Sequence, residues 1–196
     1  MCGIFGFLNQ KGMLTSSKSL CKLVSHSEQR GRDSSGFLIH DGSSSQFEVH
    51  KADYPITRLH GELDSRTIKL MIGHSRLVTN GITDNQPVLR DEVIVFHNGI
   101  IVNADEIWPT IPIERKLSID TEIIAALAVH YLEEGLSPEE IPSLILERCR
   151  GVVACALAFT KRGKLCVFSN NGSMFIGQDG DSKVFASESY PLTQRG

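Results

Sequence analysis

Met1-Cys2-Gly3-Ile4-Phe5-Gly6-Phe7-Leu8 opens the chain and ends at the polar run Asn9-Gln10-Lys11. The stretch is apolar, β-prone and interrupted only by small glycines, which predicts a buried strand. It lacks the basic leader and cleavage site of a secretory signal. The cysteine in second place is its informative residue. Removing Met1, which a small following residue permits, leaves a thiol and a free α-amine on one residue. That amine titrates near about 8, so a useful fraction is neutral at cellular pH. It can take the thiol proton directly or through one water, without any histidine. A small cysteine packed in a first strand is the bland alternative.

Around this segment, 196 residues suffice for one domain with a real core, with no need of a staple. Hydrophobic residues at 41% and charged residues at 22% indicate a globular chain rather than a disordered one. A net charge of −3 argues against nucleic acid as a partner, since such binders usually carry a basic excess. Cys2, Cys21, Cys149, Cys155 and Cys166 are odd in number and show no CxxC spacing, which suits a reducing compartment better than a disulfide scaffold. No window approaches the roughly 18 apolar residues of a membrane span. The expectation is a cytoplasmic protein without a membrane anchor. Its domain is single, over 1–196, either complete in itself or the first of a longer chain.

Ser16 to Gln29 predicts a helix with Leu20, Leu23 and Val24 on one face and Ser16 or Ser17 as its cap. Phe37-Leu38-Ile39 and Gln46 to His50 read as strands around the Asp41-Gly42 turn, and 51–66 as loop with a short helix. Leu70-Met71-Ile72 and Val93-Ile94-Val95-Phe96 read as further strands. Thr121 to Glu134 is the clearest helix, with Gly135 just past its end. Pro138 to Arg148 predicts a second helix, loosened or kinked by Pro142. From Gly151 onward the pattern is strands: Val152–Phe159, Leu165–Phe168, Met174–Ile176 and Val184–Ala186.

Several segments carry candidate chemistry. In Phe96-His97-Asn98-Gly99 a side-chain amide stands beside an unhindered backbone N–H, the two donors an acyl-transfer oxyanion needs. Alone, the dipeptide reads as a tight turn. Gly73-His74-Ser75-Arg76 places an arginine where its planar fork would clamp a carboxylate, or in an ordinary loop. Asp120, at the head of the strongest helix, reads as its cap or as a carboxylate for a substrate ammonium. Arg30-Gly31-Arg32-Asp33-Ser34-Ser35-Gly36 is either a turn held by an Arg–Asp pair or the wall of a site. The histidines show no ligand spacing, so no metal is assigned, and Walker, GxGxxG and GxSxG motifs are absent from the sequence.

Taken in order, these motifs resemble the glutaminase domain of class II glutamine amidotransferases, within the N-terminal-nucleophile (Ntn) hydrolases. Arg-Gly-Arg-Asp-Ser-Ser-Gly, Gly-His-Ser-Arg, His-Asn-Gly and Asp-Thr-Glu look most like the glucosamine-fructose-6-phosphate aminotransferase and amidophosphoribosyltransferase branches. The likeness runs from Met1-Cys2-Gly3 to Phe185-Ala186-Ser187-Glu188-Ser189. It implies an α+β fold, a four-layer αββα sandwich (Ntn hydrolase-like) of two mostly antiparallel sheets flanked by helices. It also implies roles: Cys2 as nucleophile with its own amine as base, Asn98 and the Gly99 N–H as oxyanion hole, Arg76 on the glutamine carboxylate and Asp120 on its ammonium. Thr79 would line the pocket and Arg30 support the nucleophile. The implied reaction turns L-glutamine into L-glutamate and ammonia through a γ-glutamyl thioester, without a cofactor, and supplies the ammonia to a synthase domain or subunit. Leu77 replaces an aromatic residue usual in the aminotransferase branch, and Asn80 a histidine. An Ntn-type amidase for another amide and a non-catalytic glutamine-binding regulator are the rival readings.

Overall fold

Phe5 and Phe7 alternate with Ile4, Gly6 and Leu8 along the first strand, and both phenylalanines join a buried cluster with Leu20, Leu23 and Val24 of the following helix. The structure, a computed structural model, describes residues 2–43, 46–77, 84–189 and 192, and of Asp179 the main chain alone. The strands in chain order are β1 (Gly3–Leu14), β2 (Ser34–His40), β3 (Glu48–Ala52), β4 (Thr67–Arg76), β5 (Val88–Arg90), β6 (Val93–Ile101), β7 (Gly151–Phe159), β8 (Lys164–Ser169), β9 (Phe175–Asp179) and β10 (Ser182–Ala186). The α-helices are α1 (Lys18–Glu28), α2 (Ile56–Gly61), α3 (Ala104–Ile107), α4 (Thr121–Glu133) and α5 (Ile141–Arg148).

The chain divides into two compact units. The first takes 1–78, 85–87 and 173–196; the second takes 79–84 and 88–172. In the first, six strands form an antiparallel sheet in the order β3-β2-β4-β1-β10-β9. Helices α1 and α2 cover one of its faces, burying Leu20, Leu23, Val24, Ile56 and Leu59 against Phe5, Phe7, Phe37, Ile39 and Met71. In the second, four antiparallel strands run β5-β6-β7-β8. Helices α4 and α5 lie on the face made by Val93, Val95, Val153, Leu157 and Phe159. Each unit is thus a helical layer on an antiparallel sheet, as an α+β chain requires.

The predicted cap of α1 is Ser17, whose hydroxyl accepts the Leu20 N–H at 3.4 Å. Past α4, Gly135 takes φ +89° and the Leu136 N–H returns to the Tyr131 carbonyl at 3.0 Å, closing the helix as predicted. Three expectations need correction. Helix α5 begins at Ile141, so Pro142 falls in its first turn, where its missing N–H has no intrahelical partner to lose, and no kink results. β1 continues to Leu14 with a register shift between Leu8 and Met13 around Gly12, which the polar run Asn9-Gln10-Lys11 concealed. β6 does not stop before Asn98-Gly99; it runs through them to Ile101, pairing Asn98 with Ala154 and Gly99 with Val153. β5 and α3, too short to leave a periodic signal, were not expected.

Candidate functional site

In the first unit, Cys2 immediately precedes β1 and is half-buried, with its thiol directed at the Leu77 carbonyl 3.5 Å away. Burial pushes the thiol above its ordinary value, while the Leu77 hydrogen bond and the charges of Arg76 and Arg30 act in the opposite sense. The thiol is therefore protonated at neutral pH and needs a base to become a nucleophile. The Arg30 Nε–H donates to the Cys2 carbonyl at 2.7 Å, and its Nη1 pairs with Glu188 at 2.5 Å. Arg30 is thus a main-chain anchor for Cys2, tied to a residue just beyond β10.

The motif around Arg30 fits this duty. A Cβ on Gly31 would lie 2.4 Å from the Arg76 carbonyl carbon and 2.5 Å from the Leu77 nitrogen, so only glycine lets the two segments touch. The Asp33 N–H completes the contact by donating to the Arg76 carbonyl at 3.0 Å. Arg76, at the end of β4, is buried at 3% exposure. The structure therefore gathers Cys2, Arg30 and Arg76 in one neighbourhood. Supporting residues there escaped the sequence reading. The Ser27 hydroxyl donates to the Gly3 carbonyl at 3.1 Å, and Ser187 Oγ accepts the Ile4 N–H at 2.9 Å. Lone serines carry no such signal; only long-range pairing reveals them.

In the second unit, β6 carries Asn98 and Gly99. Asn98 is 7% exposed, and no side chain or carbonyl among the described residues holds its amide. Gly99 has φ +152°, and a Cβ there would stand 1.8 Å from the Val152 carbonyl oxygen and 2.8 Å from His97 Nε2. The Asn-Gly pair is therefore not a turn but a strand segment with an obligatory glycine. His97, fully buried on the other face, lies with Nε2 3.1 Å from the Val152 carbonyl and Nδ1 3.3 Å from Thr121 Oγ1. These partners suit a neutral ring that donates from Nε2 and accepts at Nδ1. Burial lowers the ring's proton affinity, against the opposing pull of the Asp120 charge.

Asp120 occupies the N-cap position of α4 but does not cap it. Its φ −62° and ψ −26° are already helical, whereas a capping side chain needs extended backbone, and the Glu122 N–H goes to the Ile119 carbonyl at 3.2 Å. The carboxylate instead accepts the Ile101 N–H at 2.8 Å through Oδ2. Asp120 is thereby joined to the strand that carries Asn98 and Gly99. Thr79, expected in the pocket, and Asn80 lie outside the described residues. Among the described residues no group of three or more His, Cys, Asp or Glu is placed to hold a metal, and no helix is long and apolar enough to cross a membrane.

A family model described as a glutamine amidotransferase domain matches residues 74–194. Glutamine–fructose-6-phosphate aminotransferase (isomerizing) of Rhizobium meliloti is 30% identical over 196 residues, covering 91% of this chain and 32% of that protein. The Zymomonas mobilis enzyme of the same name is 29% identical and covers 100% of this chain and 33% of its own length. The chain thus spans about a third of the curated relatives it matches. In structure it is similar to glutamine phosphoribosylpyrophosphate amidotransferase from B. subtilis, solved with ADP and GMP. The TM-score is 0.78 at 27% identity, over 97% of this chain and 43% of that one. A structure described as the allosteric regulatory enzyme of purine biosynthesis gives a TM-score of 0.77 at 26% identity, with the same coverage of both chains.

Proposed function

The chain belongs to the glutamine amidotransferase domain family, and on that premise we propose that it hydrolyses L-glutamine to L-glutamate and ammonia at Cys2. The observation that carries the reading is the Arg30 grip on the Cys2 carbonyl. It anchors the nucleophile through its main chain and leaves thiol and amine to react. After Met1 removal the α-amine takes the thiol proton, and the thiolate attacks the γ-carboxamide carbon. Negative charge on the former carbonyl oxygen is met by the Asn98 side-chain amide and the Gly99 N–H. The ammonium formed on Cys2 returns its proton to the leaving nitrogen as the carbon–nitrogen bond breaks. Ammonia departs and a γ-glutamyl thioester remains. Water, deprotonated by the same amine, then releases glutamate.

Arg76 pairs with the substrate α-carboxylate and Asp120 with its α-ammonium, so the two ends of an amino acid meet opposite charges. Thr79, outside the described residues, is assigned to the substrate pocket on the family resemblance alone. The domain is a single glutaminase unit over 1–196 that passes ammonia to a synthase domain or subunit in the cytoplasm. The relatives, about three times as long, supply the motive for that partner.

The test is intact-mass analysis with peptide mapping after exposure to the diazoketone analogue of glutamine, alongside a glutaminase assay. An adduct confined to Cys2 of the Met1-free chain, with hydrolysis lost in Cys2→Ala, is the expected result. A Cys2→Ala protein that hydrolyses glutamine as fast as the parent overturns the mechanism.

A further inference from the structure

The turn that leads into Asp120 is held in an unusual way. Its four consecutive backbone N–H groups, from Lys116 to Ile119, all donate to carboxylates. The Lys116 N–H reaches both oxygens of Glu122, at 3.0 and 3.1 Å, and the Leu117 N–H reaches Glu122 Oε2 at 2.7 Å. The Ser118 and Ile119 N–H groups converge on Asp84 Oδ2, at 2.6 and 3.2 Å, and the Ser118 hydroxyl donates to the same oxygen. The carbonyl side is held as well: Arg115 donates to the Leu117 and Ser118 carbonyls at 2.9 and 3.2 Å. Glu122 is itself fixed by Arg90, 2.5 Å away, and both side chains are buried.

Charge-assisted hydrogen bonds of this kind are shorter and about twice as strong as neutral ones. The Asp120 carboxylate, at the head of α4, is turned to the Ile101 N–H, and Asp84 and Glu122 satisfy the N–H groups of the turn that precedes it. We infer that Asp84 and Glu122 are positioning residues: by clamping 116–119 they fix the direction of the Asp120 carboxylate, and so set selectivity for substrates that carry an α-ammonium. The inference rests on the glutaminase reading given above and adds to it two residues that do not touch the substrate.

The experiment compares kcat/KM for glutamine and for glutaramate, which is glutamine with hydrogen in place of the α-amine. Asp84 is the residue to change first, because it is less buried than Glu122. The parent protein prefers glutamine, and Asp120→Ala abolishes the preference. Asp84→Ala reduces it about tenfold through a higher KM for glutamine, with kcat within about twofold, as expected for losing charge-assisted contacts. Asp84→Asn, whose amide oxygen still accepts the two N–H groups, restores most of the preference. Should Asp84→Ala fail to fold, Arg115→Ala releases the carbonyl side of the same turn and is read by the same ratio.

A merely structural role lowers kcat/KM for both substrates alike. That outcome, with the preference intact in a protein that still hydrolyses glutamine, overturns this inference alone. A preference that survives Asp120→Ala, or a parent protein that hydrolyses neither substrate, removes the underlying reading and this inference with it.

Discussion

At Gly99 one missing methyl group decides both the strand and the chemistry proposed for it. The neighbour a Cβ would meet is the Val152 main chain, which cannot swing aside as a side chain would. Gly99→Ala therefore parts the β6–β7 ladder and costs at least about 1–3 kcal/mol, read as a lower urea midpoint, together with activity. Asn98→Ala leaves the ladder untouched and loses one oxyanion donor, so kcat falls about 10²–10³-fold at unchanged stability. A urea midpoint that falls equally in both variants contradicts this division. Beneath them, burial makes the folded protein resist protonation of His97 more than the unfolded chain does. Stability is then full above the ordinary imidazole value of about 6.5 and is lost as pH drops below it. Melting temperatures followed from pH 8 downward show that loss in the parent and a flatter profile in His97→Asn.

Helix α4 and strand β6 show what a local pattern discloses about an element and what it hides. The length of α4, its apolar positions and its Gly135 stop are written in its own residues, and the structure agrees to within a residue. The residue at its cap position does not cap it: the Asp120 carboxylate goes to the Ile101 N–H, and the preceding turn is held by Asp84 and Glu122, which no local pattern reveals. β6 was cut short because Asn-Gly signals a positive φ, and the sequence cannot distinguish a turn from an extended strand with φ +152°. Arg30 stands out in the sequence as a candidate, but its partner Glu188 is 158 residues away and no local composition reveals it. Cys2, Arg30, Arg76, Asn98, Gly99 and Asp120 stand out as candidate site residues because each lies in a short ordered motif. The supports beneath them do not. The Arg90–Glu122 pair is the largest of these, with side-chain exposures of 9% and 2%. Glu122→Ala strands a buried guanidinium and the Lys116 and Leu117 N–H groups, a loss of about 3–5 kcal/mol in denaturant unfolding. Replacing both partners, as Arg90→Met with Glu122→Leu, recovers part of it. A double variant less stable than Glu122→Ala refutes desolvation as the cause.

Across the whole molecule, the residues gathered around Cys2 depend on chain that arrives last. β1 lies between β4 and β10, and β10 is contributed only after the entire second unit has been traversed. Five residues, Phe5 to Asn9, pair with Ala186 to Ser182. The Ile4 N–H ends on Ser187, Arg30 on Glu188, and Val184 and Ala186 fill the core under α1. A chain ended at Gly172 still contains Cys2, Arg30 and Arg76, yet its first strand, paired with β4 alone, becomes an edge with part of its core missing. The second unit keeps its own buried cluster, from Val88 to Phe159. In that truncated protein, amides of β6, β7 and α4 retain hydrogen-exchange protection while those of β1 and β4 exchange freely. The diazoketone no longer modifies Cys2 faster than it modifies Cys21, an exposed thiol on α1 that serves as an internal reference. If Cys2 stays selectively reactive without residues 173–196, then Arg30 and β4 alone hold the nucleophile, and the contacts from β10 and from Ser187 and Glu188 beyond it serve stability rather than the site.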